Sequence, residues 1–296
     1  MQIILTVVIL SASMIFALAF ITYAFFWYET ANGPYLAELK EMSKNKAGRW
    51  ILRGIISGTL SILAYILLYP FSFFDRLWKP EPDTTCPMAP VVLVHGLVPN
   101  PGCWALYRWM LKRNGFTNSF AFGYNALKYS FDELLAQLDR TITQVVEPLG
   151  QKRVVLIGHS LGGLIVRAYA DLPENAEKVA AVITLGAPHQ GTKLAVLGLG
   201  KLTRSLAYRG PLIRQIEERT CQSDIPRLAV YSPVDSMVLP AEAMRVPFNG
   251  WKHVRTSPVS HTSLLFNKPT VDTVISHLNE ILKAGSSLHE TTVSLH

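Results

Sequence analysis

Two long apolar stretches open the chain, and short apolar runs alternating with amphipathic segments follow them. Ile3 to Tyr28 is almost wholly apolar and uncharged, and Gly54 to Phe74 is a second uncharged run. About 20 apolar residues suffice for a helix to cross a bilayer, so the pattern predicts membrane helices over residues 3–28 and 54–74. Tyr65, Tyr69 and Trp78 mark the end of the second run, where aromatic rings favour a lipid–water boundary. A cleaved leader starts with positive residues and has a shorter apolar core. No Lys or Arg precedes Lys40, so the first run is expected to stay attached. Between the runs, Tyr35 to Met42 reads as a short amphipathic helix at a membrane surface.

From Val91 the period changes. Val91–Val94, Phe120–Tyr124, Val154–Ile157, Val179–Leu185 and Leu228–Tyr231 are short runs of the kind found in buried parallel strands. Helices are predicted over about 102–114, 131–146, 161–170 and 271–283. The second opens on Ser130-Phe131-Asp132-Glu133, which has the spacing of a capping box. Alternating strands and helices predict an α/β fold, a mainly parallel sheet with helices on both faces. The domains follow: a membrane segment over 1–79, a proline-rich linker over 80–90, a catalytic domain over 91–284, and a polar, disordered tail over 285–296. Residues 187–226 break the alternation. They are expected to form a helical lid, with an ordinary helix packed on the sheet as the alternative.

Composition narrows the function. The net charge is +7, yet no Lys/Arg tract with interleaved aromatics and no nucleic-acid motif occurs, so nucleic-acid binding is not expected. Cys86, Cys103 and Cys221 form no CxxC pair, which speaks against zinc. Cys86 and Cys103 flank the first strand and could pair in an oxidising compartment, or all three thiols could stay unlinked. The connector holds Lys40, Lys44, Lys46, Arg49 and Arg53, against Arg76 and Lys79 after the second run. The positive-inside rule then places the connector in the cytoplasm. The catalytic domain would lie across a bacterial inner membrane, in the periplasm. The two apolar helices offer a route to a homo-oligomer, although no clean small-xxx-small pattern supports it.

The chemistry centres on Gly158-His159-Ser160-Leu161-Gly162, which follows a strand and opens a helix. A serine at such a sharp turn stands clear of the sheet, and flanking glycines let strand and helix approach. Alone the pentapeptide is a weak signal; the strand before it and the helix after it make it specific. His95-Gly96 follows the first strand. There the backbone N–H of Leu97, with that of Leu161, is expected to form an oxyanion hole. His95 itself reads as a loop histidine fixing that backbone.

Val92-Leu93-Val94-His95-Gly96, Gly158-His159-Ser160-Leu161-Gly162-Gly163 and Leu185-Gly186-Ala187-Pro188-His189-Gln190-Gly191-Thr192 together resemble the lipase and esterase branch of the α/β-hydrolases. The similarity runs from about Pro90 to Leu282. It implies an α/β-hydrolase fold and the chain order Ser, acid, His. Asp235, just past the strand Leu228–Tyr231, is similar to the acid segment, and His261 to the histidine loop. Asp224 precedes that strand, Asp272 falls after the histidine, and His253 sits in a strand-like segment. The implied catalytic residues are Ser160, Asp235 and His261, acting without cofactor. The implied activity is hydrolysis of a carboxylic ester through an acyl-enzyme, on a lipid-like substrate such as a neutral lipid, phospholipid or lysophospholipid. Acyl transfer by the same triad is one alternative, and a non-catalytic membrane-anchored binding protein is another.

Overall fold

A computed structural model describes residues 2–98, 100–219 and 224–293 of the 296-residue chain. Among the described residues six strands form one sheet: β1 (Val91–Val94), β2 (Ser119–Phe122), β3 (Val154–His159), β4 (Val179–Leu185), β5 (Arg227–Tyr231) and β6 (Trp251–Arg255). Their order is β2-β1-β3-β4-β5-β6, and every neighbouring pair is parallel. Strands in such a sheet have no solvated face. Val92, Val94 and Leu156 therefore enter one apolar core, and Val91, Leu93, Val155 and Ile157 enter the core on the opposite face.

Helices cover both faces. On the first lie α6 (Phe131–Val146) and α7 (Leu161–Ala170); on the second lie α5 (Ala105–Arg113) and α10 (Lys268–Val293). The capping box at α6 is present: the Glu133 N–H donates to Ser130 Oγ, and Glu133 accepts from the Ser130 N–H at 2.8 Å. The closing helix runs past its expected end at Lys283. Residues 285–293, expected as a disordered tail, continue α10, because no proline interrupts its backbone ladder. Residues 294–296 lie outside the described residues.

The stretch between β4 and β5 carries two short helices, α8 (Lys201–Ser205) and α9 (Pro211–Glu218). Leu202, Leu206, Ile213 and Ile216 enter the same core as α6 and α7. Their helical spacing demands burial, and that core supplies it, so α8 and α9 pack as ordinary helices, while Val196, Leu197 and Leu199 before them stay exposed.

The N-terminal apolar runs form α1 (Gln2–Asn32) and α3 (Ala47–Leu68), joined through α2 (Tyr35–Met42). Segments Ser13–Asn32 and Ala47–Phe73 are long and apolar enough to cross a membrane. They are not separate from the catalytic domain, however. Tyr23 Oη donates to the Val234 carbonyl at 2.8 Å, Glu29 pairs with Lys193 at 2.6 Å and Glu38 with Arg245 at 2.8 Å. At the far end of α3, Tyr65 Oη donates to the Val98 carbonyl at 2.7 Å, and Asn100 donates to the Tyr65 carbonyl at 3.0 Å. A short helix, α4 (Asp75–Trp78), then leads to β1. The connector thus packs against the catalytic domain through Glu29 and Glu38. Hydroxyl side chains on α1 and α3, Thr22, Tyr23 and Ser57, bind both helices to the domain.

Contrary to the expectation of no small-xxx-small stripe, Gly54 and Gly58 form one inside the chain. A Cβ at Gly54 would collide with the Tyr23 hydroxyl, and one at Gly58 would lie 3.7 Å from the Ala19 Cβ. The stripe joins α3 to α1. Cys86 and Cys103 are free thiols, the latter buried; Cys221 lies outside the described residues.

Candidate active site

Ser160 sits between β3 and α7 with φ +55°. That left-handed conformation is rare for a residue with a side chain, and the surroundings must enforce it. They do. A Cβ at Gly158 would strike the Gly162 carbonyl, and one at Gly162 would strike the Val94 and His95 carbonyls. Strand, turn and helix are thus as close as bare backbone allows. The Ser160 N–H donates to the Leu185 carbonyl at 2.9 Å. The next amide, that of Leu161, is first in its helix and has no intrahelical acceptor.

The His95–Leu97 loop abuts this elbow: a Cβ at Gly96 would lie 3.1 Å from the Ser160 Cβ. His95 is fully buried and holds the loop. Its Nδ1 lies 2.8 Å from the Gly96 carbonyl, and its Nε2 accepts from the Tyr124 N–H at 3.2 Å. The Tyr124 ring stacks on it at 4.2 Å, and its hydroxyl donates to the His95 carbonyl at 2.7 Å. Nε2 accepts, so Nδ1 carries the proton and donates. Burial pushes the imidazole down to about 4 and keeps it neutral. The expected backbone-fixing role agrees with this geometry.

The sheet's C-terminal edge supplies the rest. Asp235 follows β5, and His261 precedes a helical turn at Thr262–Leu265. His261 Nδ1 lies 2.7 Å from Asp235 Oδ2, with both side chains buried. The Met237 and Val238 N–H groups donate to Asp235 Oδ1 at 2.8 and 3.1 Å, so each carboxylate oxygen has a partner. The rivals lie elsewhere. His253 is in β6, where its Nε2 accepts from the Val246 N–H at 3.0 Å; Asp224 is exposed; Asp272 pairs with Lys268 on α10.

Ser160, His261 and Leu97 line one cavity of about 350 Å³. Sequence reasoning missed two contributors to it. His159 donates from Nε2 to the His261 carbonyl at 3.2 Å, with the rings 4.7 Å apart. Burial, then the proximity of His261, drives its imidazole well below the usual range, so it is a neutral donor. Its place beside the serine was the available signal. The second contributor is the N-terminal hairpin: Leu18, Ala19, Ile62 and Tyr65 are walls of the cavity. No local motif announces this. Among the described residues there is no cluster of three or more His, Cys, Asp or Glu able to hold a metal.

The profile of the palmitoyl protein thioesterase family matches residues 90–249, over half of the chain. The chain belongs to the palmitoyl protein thioesterase family. The match includes Ser160 and Asp235 and stops before His261; the hairpin lies outside it. The fold is shared with the mature form of the Bacillus licheniformis lipase BlEst2, at 19% identity and TM-score 0.54, over 67% of this chain and 94% of that one. Aspergillus fumigatus lipase B matches at 17% identity and TM-score 0.54, over 64% of this chain and 52% of that one. Est1E of Butyrivibrio proteoclasticus, solved with ferulic acid, matches at 15% identity and TM-score 0.51, over 70% and 92%. With this family and fold, the protein is an ester-hydrolysing enzyme of the α/β-hydrolase class.

Proposed function

We propose that the protein is a membrane-associated serine hydrolase that cleaves long-chain acyl esters or thioesters through an acyl-enzyme on Ser160. One observation carries the reading: Ser160 on its elbow and His261, paired with the buried Asp235, line one apolar cavity. Ser160 Oγ attacks the acyl carbonyl while His261 Nε2 takes its proton, and His261 Nδ1 keeps its bond to Asp235. Asp235 holds the tautomer and stabilises the imidazolium. The N–H groups of Leu97 and Leu161 receive the tetrahedral oxyanion. His261 then protonates the departing alcohol or thiol, and water repeats the sequence to free the acid. The apolar walls suit an acyl chain, and the family match adds thioesters to the candidate substrates.

The test is fluorophosphonate labelling of the full-length protein, with peptide mapping, alongside turnover of a palmitoyl thioester and 4-nitrophenyl palmitate. Labelling at Ser160 that disappears in Ser160→Ala, with release of palmitate, is the expected result. Equal labelling of Ser160→Ala overturns the reading. Product analysis with added alcohol acceptors separates hydrolysis from acyl transfer.

A further inference from the structure

The N-terminal hairpin has the burial pattern of a globular helix pair turned inside out. On α1 the buried positions are Ile15, Ala19, Tyr23, Phe26 and Thr30; on α3 they include Gly54, Ile55, Gly58 and Ser61. Many of these are small or hydroxyl-bearing. The solvent faces hold the large apolar side chains instead, at positions three or four apart: Met14, Leu18, Ile21 and Phe25 on α1, Ile56, Leu60 and Leu63 on α3. Water is a poor solvent for such a surface, and its size exceeds the isolated apolar residues normal on a soluble protein. Exposed basic residues bracket it, Lys40, Lys44, Lys46 and Arg49 at one end of α3 and Arg76 and Lys79 beyond the other. Apolar face and flanking cations match the two layers of an anionic bilayer surface.

The same hairpin is built into the reaction centre. Ser57 of α3 grips the histidine loop at two points: its Oγ accepts from the Ser260 N–H at 2.9 Å, and its carbonyl accepts from Ser263 Oγ at 2.8 Å. On α1, Tyr23 and Thr22 hold the acid loop through the Val234 carbonyl and Ser236 Oγ, the latter at 3.1 Å. Between these anchors the cavity runs from Ser160 past Ala19 and Ile62 to a rim of open apolar residues. Leu18 is 54% exposed, Ile66 51%, Val98 55% and Met237 41%. Leu18 and Ile66 belong to the two helices of the apolar face, so the mouth opens where that face begins. The cavity, about 350 Å³, is within the usual range for a bound small molecule.

We propose that the α1–α3 hairpin lies in the plane of a bilayer surface and forms the acyl-chain site, so that a long chain reaches Ser160 laterally from the lipid through the Leu18–Ile66 mouth. This rests on the reading of Ser160 as the nucleophile. The substrate is then an acyl ester or thioester whose chain already resides in the membrane, with its carbonyl at headgroup level. The hairpin, and not the 187–226 stretch, is the cover of the site.

The experiment uses the full-length protein with 4-nitrophenyl butyrate in solution and 4-nitrophenyl palmitate carried in vesicles of phosphatidylcholine with phosphatidylglycerol. Ile62→Trp fills the cavity wall and lowers the ratio of kcat/KM on palmitate to that on butyrate at least about tenfold, a difference of about 1.4 kcal/mol. An unchanged ratio, with fluorophosphonate labelling of Ser160 retained, overturns the proposal. Because Ile62 is half-buried, the exposed pair Leu18→Glu and Ile66→Glu provides a second reading. It lowers turnover of the vesicle-borne palmitate and flotation of the protein with the vesicles; parent-like values for both overturn the lateral route. Failure of the parent protein to label at Ser160 would instead remove the nucleophile reading beneath it.

Discussion

The catalytic core and the N-terminal hairpin are both rich in apolar residues, yet they spend them in opposite ways. In β1, Val91 to Val94 are wholly buried, and polar groups fall at the strand ends. In α1 and α3 many of the buried positions are small or hydroxyl-bearing, Ala19, Thr30, Gly54, Gly58 and Ser61 among them, while Phe16, Leu18, Phe25, Leu60 and Leu67 face outward. Hydrophobicity alone reveals neither arrangement; what decides is which side of each element has a protein partner. On the proposed reading the core supplies the nucleophile and its acid–base pair, while the hairpin supplies cavity walls and the clamps on two loops. The proposal therefore assigns reactivity to the first and access and substrate preference to the second.

The largest effects should fall on the core. Ser160→Ala is expected to lower kcat by at least about 10⁴-fold on short and long esters alike, since removing a triad serine leaves only the oxyanion donors and binding. Asp235→Asn should cost about 10³–10⁴-fold, because an amide cannot hold the His261 tautomer. Steady-state kinetics on both chain lengths check these. A loss confined to the long substrate would move Ser160 or Asp235 to the hairpin's side of the comparison and break the division of labour.

Through histidine, acid should act on the core. Residues 1–79 contain no histidine, whereas His95, His159 and His189 are buried and held neutral. Burial lowers each folded-state pKa below the unfolded value near 6.5, and for His95 it reaches about 4. The unfolded chain therefore takes up protons first as pH falls. Stability is complete above about pH 6.5 and declines through the window down to about 4. Each such histidine contributes up to about 1.4 kcal/mol per pH unit. Urea midpoints at pH 7.5, 5.5 and 4.5 measure it, and a flat midpoint would contradict neutral imidazoles in the core.

Much of this core was legible in the sequence. The runs at 91–94 and 179–185 match β1 and β4, and the capping box placed the start of α6, because strand burial and helix capping are local codes. The serine elbow was legible for the same reason: its turn is specified by glycines two residues away on each side. What escaped involves partners distant in sequence. The buried cluster in which Arg167 and Arg227 share Asp171 joins α7 to β5 across 56 residues, and no short motif encodes it. The hairpin's docking escaped because its sequence satisfies the length and hydropathy of two membrane spans. Only three-dimensional packing shows that Gly54 and Gly58 receive α1 and that Ser57 receives the histidine loop.

Packing at that stripe gives an intermediate effect. Gly54→Ala places a methyl group where the Tyr23 hydroxyl lies, so the ring must move and its bond to Val234 is lost. Overpacking of this kind costs about 1–3 kcal/mol. Thermal unfolding of the purified protein in detergent should show a lower midpoint, together with a reduced ratio of long- to short-chain turnover.

The smallest and sharpest comparison sets one hydrogen bond in each region side by side. Tyr23→Phe removes the hairpin's bond to the Val234 carbonyl, one residue before Asp235. Ser130→Ala removes half of the α6 capping box, far along the chain from the site. Each should cost about 1 kcal/mol of stability. Their readouts should differ in kind. Ser130→Ala lowers the unfolding midpoint and leaves the chain-length preference and the pH–rate profile as they were. Tyr23→Phe has a similar thermal effect but also loosens the loop that aims Asp235 at His261, and so lowers kcat more than it raises KM. If the two variants behave alike in kinetics, the hairpin is a cover resting on a self-sufficient core. If they part, the N-terminal hairpin is part of the machinery that holds the acid and base in line.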